Sequence, residues 1–393
     1  MFNWNTLTEI LDSSAKVESD FQVKAISTDS RSIQRGDVFL ALSGERFNGH
    51  NYLQQVIDAG AAGLIISENL SLNIPTIKVS NTLTAYQKIA NCWRNHFNNL
   101  TLIGVTGSSG KTSSKEIIGS ILKAAFDDVL LTKANTNNQI GVPQNLLNLT
   151  EQHQAAIIEM GTNYPGEIDI LSNCGEPNIA VLTNVGPVHL EGLGSIEGVA
   201  REKVSIFNGL KKDGLALLHD SLIENPIILE GCPQFISYGL SEKADYRVIY
   251  HGGDFQNSSF SVIKPDKTEL NIKCTLKGSH MAQNAAAAIA IADYLKIDDQ
   301  LVIKALSNCQ LPGMRMKIET INGIQWINDA YNANPDSMKS LINWLASVDQ
   351  KLNYLVLGDM LELGPDSSKL HAELCLYAKE KLPETELAER KPV

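Results

Sequence analysis

The chain has 393 residues, 43% of them hydrophobic and 20% charged, the composition of an ordinary globular protein long enough for two or three domains. Its formal net charge of −11 argues against a dedicated nucleic-acid or anionic-membrane binder, yet leaves room for a local basic pocket holding an anionic nucleotide. No apolar run is long enough to span a bilayer, the N-terminal MFNWNTLTEILDSS lacks a basic-then-apolar leader, and the six cysteines form no CxxC pair, so the expectation is a cytoplasmic protein with reduced thiols.

Residues 1–99 read as a first domain. Strands are expected at 23–26, 38–42 and 63–67, a helix at 51–59, and a second helix at 83–97 whose Leu83, Tyr86, Ile89, Ala90, Trp93 and Phe97 share one face. Polar loops follow two of the strands. In one of them, Thr28-Asp29-Ser30-Arg31, the charged pair suits either a small-molecule site or a simple ion pair across a turn.

Residues 100–311 read as a central domain. Residues 100–105 form an apolar run that predicts a buried strand, followed by Gly107-Ser108-Ser109-Gly110-Lys111-Thr112 and then a helix with Ile117, Ile118, Ile121 and Leu122 on one stripe. Strand, small-residue turn and helix start make a phosphate cradle, in which backbone N–H groups and the helix N-terminus face an anion. Lys111 would reach the outer phosphates and the Thr112 hydroxyl would hold Mg²⁺. The usual first glycine of such loops is replaced by Val105, so this is a shorter form. Further buried strands at 155–159 and 179–184 predict a parallel sheet with helices on both faces. Residues 214–276 change to short alternating runs, read as an antiparallel extension, and 284–294 is a helix apolar nearly all round.

Residues 312–393 read as a third domain: one βαβ unit with strands at 324–327 and 354–357 around a helix at 337–346, and a tail from 382 without periodicity. So small a core predicts a domain that is incomplete or leans on the central one.

Several groups could carry chemistry. Glu159 ends a strand beside the phosphate loop, where a carboxylate commonly holds Mg²⁺. His189 follows the next strand and reaches the same rim, although a lone histidine more often has a duller role. Lys203 looks like any helical surface lysine. His280, Asn284 and Arg315 flank the junction of the second and third domains, as a nucleotide base and its phosphates require. The segment from Asp329 through Asn332 and Asn334 to Pro335 is an Asn/Asp turn that local hydrogen bonding explains equally well.

These segments together resemble the Mur ligase family of ATP-dependent amide ligases. The strings that carry the resemblance are TGSSGKT, NTNNQIGVP at 135–143, IEMGTNYPGEI at 158–168, TNVGPVHLEGLGS at 183–195, NDAYNANPDSM at 328–338 and LGDMLELG at 357–364. The resemblance implies an α/β, three-domain architecture with a central parallel-sheet ATPase domain and a Rossmann-like third domain, here shorter than the family's. It implies, within the family, the group that joins D-alanyl-D-alanine to UDP-N-acetylmuramoyl-tripeptide. ATP would lie on Gly107, Ser108, Ser109, Gly110, Lys111, Thr112, Asn284, Arg315, Asp329 and Asn332. Two Mg²⁺ ions would be shared by Thr112, Glu159, His189 and Lys203, with Lys203 carbamylated. Asp29, Ser30, Arg31, Asn137 and Asn138 would contact the UDP-muramoyl substrate. Lys111, Lys203 and His189 would be the catalytic set of a monomer that binds neither nucleic acid nor membrane. Two alternatives stay open: a folate-polyglutamate-type ligase, and an inactive nucleotide-binding remnant.

Overall fold

Four short strands, each alternating its side chains between two faces, build the first unit. The strands Ile26–Ser27, Val38–Leu40, Gly63–Ile66 and Thr76–Lys78 lie in that order, all parallel. Phe39, Leu64 and Ile66 pack with Leu53 and Val56 of the helix Leu53–Asp58. Val38, Leu40, Ile65 and Ile77 pack with Trp4 and with Ala85, Tyr86 and Ile89 of the helix Thr82–Arg94. The period of two thus sends alternate residues to two separate cores. The first strand starts three residues later than expected, and the helix expected at 51–59 opens as a single tight turn, Gly49–Tyr52.

The coordinates come from a computed structural model that describes residues 2–44, 47–232, 234–348 and 354–383 and the backbone of 386–389. It divides into two units, the first made of residues up to Asn99 with Thr132–Glu151 and Asn173–Gly175, the second of the remainder. The first unit therefore takes up a stretch from beyond residue 99, including Asn137 and Asn138.

The second unit is organised by a nine-stranded sheet. From one edge its strands are Val129–Leu131, Ala155–Glu159, Thr101–Thr106, Ile179–Leu182, Leu215–His219, Ile236–Gly239, Tyr246–Gly253, Ser258–Ile263 and Glu269–Cys274. The pairings are parallel as far as Tyr246–Gly253, and only the last two are antiparallel. The stretch 214–276 is therefore not antiparallel throughout. Its first three strands continue the parallel sheet, the first two of them largely buried; only Ser258–Ile263 runs against it, and Glu269–Cys274 turns back antiparallel to that strand. The helix Lys111–Ala125 buries Ile117, Ile118, Ile121 and Leu122, and the helix Ser279–Tyr294 buries every residue from Asn284 to Ala292.

The region beyond 312 also departs from expectation. The strand Ile324–Asn328 pairs antiparallel with Lys317–Ile321, through a two-residue turn in which Asn322 and Gly323 both have positive φ (52° and 78°). The strand Tyr354–Leu357 pairs in parallel with Glu386–Glu389 instead, across the helix Ser367–Lys381. The two expected strands therefore belong to different sheets, and the tail holds a strand that lacked any periodic signal. The intervening helix starts at Pro335, earlier than expected, because Asn334 and Ser337 form a reciprocal cap.

Candidate active site

The phosphate loop is bracketed by the strand Thr101–Thr106 and the helix Lys111–Ala125, as its sequence requires. Gly107 has φ 150° and lies so close to the neighbouring strand end that a Cβ there would fall 1.9 Å from Thr183 Oγ1. That strand end fastens the loop. The Ser108 amide donates to the Asn184 carbonyl (3.1 Å), and the Ser109 amide donates to Asn184 Oδ1 (2.7 Å). Asn184 Nδ2 returns a bond to Ser109 Oγ (2.9 Å), and Thr183 Oγ1 donates to the Ser109 carbonyl (2.6 Å). Ser108 Oγ accepts from the Gly186 amide at 2.9 Å.

Strand register brings Glu159 to this loop. Thr101–Thr106 and Ala155–Glu159 are neighbours with Val105 opposite Glu159, so both chains leave the sheet together. Glu159 is 3% exposed, and its Oε2 accepts from Thr112 Oγ1 at 2.9 Å. Lys111 Nζ donates to the Gly107 carbonyl at 2.7 Å. Burial holds the Lys111 pKa below the usual lysine value; the Glu159 charge opposes that fall and Arg315 adds to it.

Lys203 corrects the expectation of a surface lysine: it is 0% exposed, and its Nζ has no hydrogen-bond partner among the described residues. It sits on the buried side of the helix Ile196–Val204. Burial, then the charge of Lys111, drives its pKa well below the ordinary value, against the pull of Glu202, Glu159 and Glu167. His189, with φ 52°, contacts Glu362 Oε2 through Nδ1. Its pKa is lowered, first by burial and then by Lys203, while Glu362 opposes. Lys111, Glu159, His189 and Lys203 thus form one charge-coupled group, with Thr112 hydrogen-bonded to its carboxylate.

A cavity of about 440 Å³ adjoins the loop and is lined by Ser109, Gly110, Asn284, Arg315, Asp329 and Asn332, with His280 also on its wall. The Arg315 guanidinium lies 4.0 Å over the Tyr331 ring. Asp329 Oδ1 accepts from the Met316 amide (3.0 Å), and burial raises its pKa. Burial pushes His280 down to about 4.

The residues read as contacts for the UDP-muramoyl group all lie in the first unit. Arg31 Nε and a terminal guanidinium nitrogen both bond the Asp29 carboxylate, at 2.9 and 2.7 Å, so the ion pair across the turn does form. That bonding lowers the Asp29 pKa to about 2. Asn138 Oδ1 accepts from the amides of Ile140 and Gly141, bonds that serve the turn into the helix Gly141–Leu147. Sequence reading missed Asn184 as the fastener of the loop, Glu362 as the partner of His189, and Tyr331 beneath Arg315. Their motifs had been noticed, but a contact between residues 75 or 173 positions apart leaves no local signal.

Three family models match in succession: "Mur ligase family, catalytic domain" over residues 22–94, "Mur ligase middle domain" over 105–292, and "Mur ligase, glutamate ligase domain" over 314–390. The UDP-N-acetylmuramoyl-tripeptide–D-alanyl-D-alanine ligase of Bacillus subtilis is 37% identical over 358 residues, covering 89% of this chain and 76% of that protein. Crystal structure I of MurF from Acinetobacter baumannii superposes with a TM-score of 0.88 at 29% identity, covering 100% of this chain and 90% of that one. The MurF ligase of Thermotoga maritima in complex with ADP gives 0.83 at 26% identity, covering 94% and 88%. The folylpolyglutamate synthase of Thermotoga maritima, at 15% identity and a TM-score of 0.56, shares the fold alone. A fastened phosphate loop with a strand-end carboxylate beside it, three domain models in order and a relative over one-third identical across most of both chains make this chain a member of the Mur ligase family.

Proposed function

We propose that the chain is an ATP-dependent ligase that joins D-alanyl-D-alanine to UDP-N-acetylmuramoyl-tripeptide in peptidoglycan precursor synthesis. The observation that carries this reading is the hydrogen bond between Thr112 and Glu159 at the mouth of the phosphate loop, in a chain 37% identical to a ligase of that name. The terminal carboxylate of the tripeptide attacks the γ-phosphorus of ATP. An O–P bond forms as the bond to the β,γ-bridging oxygen breaks, and ADP departs. The ammonium group of D-alanyl-D-alanine loses a proton, the resulting amine attacks the acyl carbon, inorganic phosphate leaves with the electron pair of the C–O bond, and the nitrogen gives up a second proton to the phosphate or to water.

Carboxylate and triphosphate are both anions, so the first step is limited by their repulsion. Lys111 at the loop and Arg315 on the cavity wall supply compensating charge. The donor set fits Mg²⁺: a hydroxyl and a carboxylate already in contact are hard oxygen ligands, and the partnerless amine of Lys203 sits where burial disfavours an ammonium ion. A neutral amine adds to CO₂ and releases a proton, which would turn Lys203 into a carbamate anion. Thr112, Glu159, His189 and Lys203 would then hold two ions, whose positive charge would screen the triphosphate from the attacking carboxylate. Asp29, Ser30, Arg31, Asn137 and Asn138 are the proposed contacts for the UDP-muramoyl group, and a cytoplasmic monomer is the proposed state.

Phosphate release from ATP tests the reading. Release that needs both UDP-N-acetylmuramoyl-tripeptide and D-alanyl-D-alanine is expected; nucleotide binding without turnover in the presence of both would overturn it.

A further inference from the structure

The cavity wall holds an amide, that of Gln283, which the phosphate cradle does not use. Gln283 lies in the first turns of the helix Ser279–Tyr294, facing His219 at the end of the strand Leu215–His219, and both line the cavity. The backbone N–H of Ser221 donates to His219 Nδ1 at 3.2 Å, and a ring nitrogen that accepts an N–H carries no proton. The ring proton therefore sits on Nε2, which donates to Gln283 Oε1 at 2.7 Å. Ser221 Oγ and Asp220 Oδ1 also lie near Nδ1, at 2.8 and 3.2 Å. The carbonyl end of the Gln283 amide is thus tied to His219. Its amino end has no protein partner among the described residues and is left as a donor on the cavity wall.

We propose that Gln283 is a nucleobase-specificity residue whose amino group donates to a ring nitrogen of adenine, and that His219 is the positioning residue that turns it outward. The inference rests on the ligase reading only in taking this cavity as the nucleotide site. An uncharged amide held through its oxygen by an imidazole suits the uncharged acceptor of a base edge. The cationic Arg315 and the loop amides near Ser109 and Gly110 serve the phosphate end.

Calorimetric binding of ADP and of its 1-deaza, 3-deaza and 7-deaza analogues tests this, since each analogue replaces one ring acceptor by C–H. The wild-type chain is expected to bind one of the three about tenfold more weakly than ADP, the scale of one hydrogen bond. Gln283→Leu is expected to bind ADP about tenfold more weakly and to lose that discrimination. Gln283→Glu, which keeps the size and the oxygen but lacks the amino group, is expected to lose it as well. His219→Phe should lose it too, and His219→Gln, whose amide N–H can stand where Nε2–H stood, should regain it; a general loosening of the fold would not be rescued in this analogue-specific way. Equal binding of all three analogues by the wild type, or unchanged discrimination in both Gln283 variants, overturns the proposal. Failure of the wild-type chain to bind ADP at all overturns the nucleotide site itself.

Discussion

Thr112 Oγ1 and Glu159 Oε2 are 2.9 Å apart although 47 residues separate them in sequence. The contact follows from two parallel strands lying side by side with Val105 opposite Glu159, so that the first residues beyond the sheet meet at one edge. This pair joins the phosphate loop to the acidic strand end, and the chemistry proposed for the chain is tested first beside it.

Replacing Lys111 with alanine is expected to lower the rate of phosphate release by about a thousandfold or more, because a positive charge aimed at the triphosphate is removed. Stability should hold, since burial already makes the ammonium form costly in the fold. Phosphate release and thermal unfolding, measured on the same preparation, check both. Retained turnover would remove Lys111 from the catalytic set.

Lys203→Ala is expected to abolish turnover and to recover part of it in short carboxylic acids, which can place an anion in the space left by the side chain. The wild-type chain under ¹³CO₂ should show a carbamate carbon resonance that the variant lacks. Full activity without added acid would return Lys203 to a packing role.

Asn184→Ala removes the acceptor for the Ser109 amide and the donor to Ser109 Oγ. Two lost hydrogen bonds of ordinary worth, about 1 kcal/mol each, predict an ADP affinity weaker by roughly tenfold or more. Titration calorimetry reads this directly. An unchanged affinity would mean that the loop keeps its shape without the fastening.

Lys264 is buried and bonds Asp293 Oδ1 at 2.7 Å and Asp299 Oδ1 at 2.6 Å. Burial lowers its pKa, but those two bonds outweigh it, and the net shift is upward. A lysine with a raised folded-state pKa contributes stability that is fully present below its unfolded pKa of about 10.4 and is lost as pH rises through the folded value. Denaturant unfolding between pH 8 and 12 should show that decline. In Lys264→Met, which should cost about 2 kcal/mol at pH 8 because the two carboxylates lose their shared cation, this part of the decline should be absent. The same slope in both proteins would exclude the pairing as its source.

The sequence by itself determined the elements whose signals are local. The apolar run before Gly107, the small residues through Gly110 and the stripe Ile117, Ile118, Ile121 and Leu122 specify strand, turn and helix within about twenty residues, and the fold has them there. The Asn322-Gly323 hairpin is equally local, since that dipeptide adopts the positive φ of a two-residue turn.

Tertiary structure decided which elements become neighbours. Tyr354–Leu357 pairs with Glu386–Glu389 rather than with Ile324–Asn328, and a strand's own side chains do not name its partner. The same holds for the site. Periodicity gives Lys203 a helix and a face, but only packing from other parts of the chain makes that face the interior and leaves the amine without a partner. His189 gains Glu362, and Gln283 gains His219, because tertiary packing brings together segments 173 and 64 residues apart in sequence.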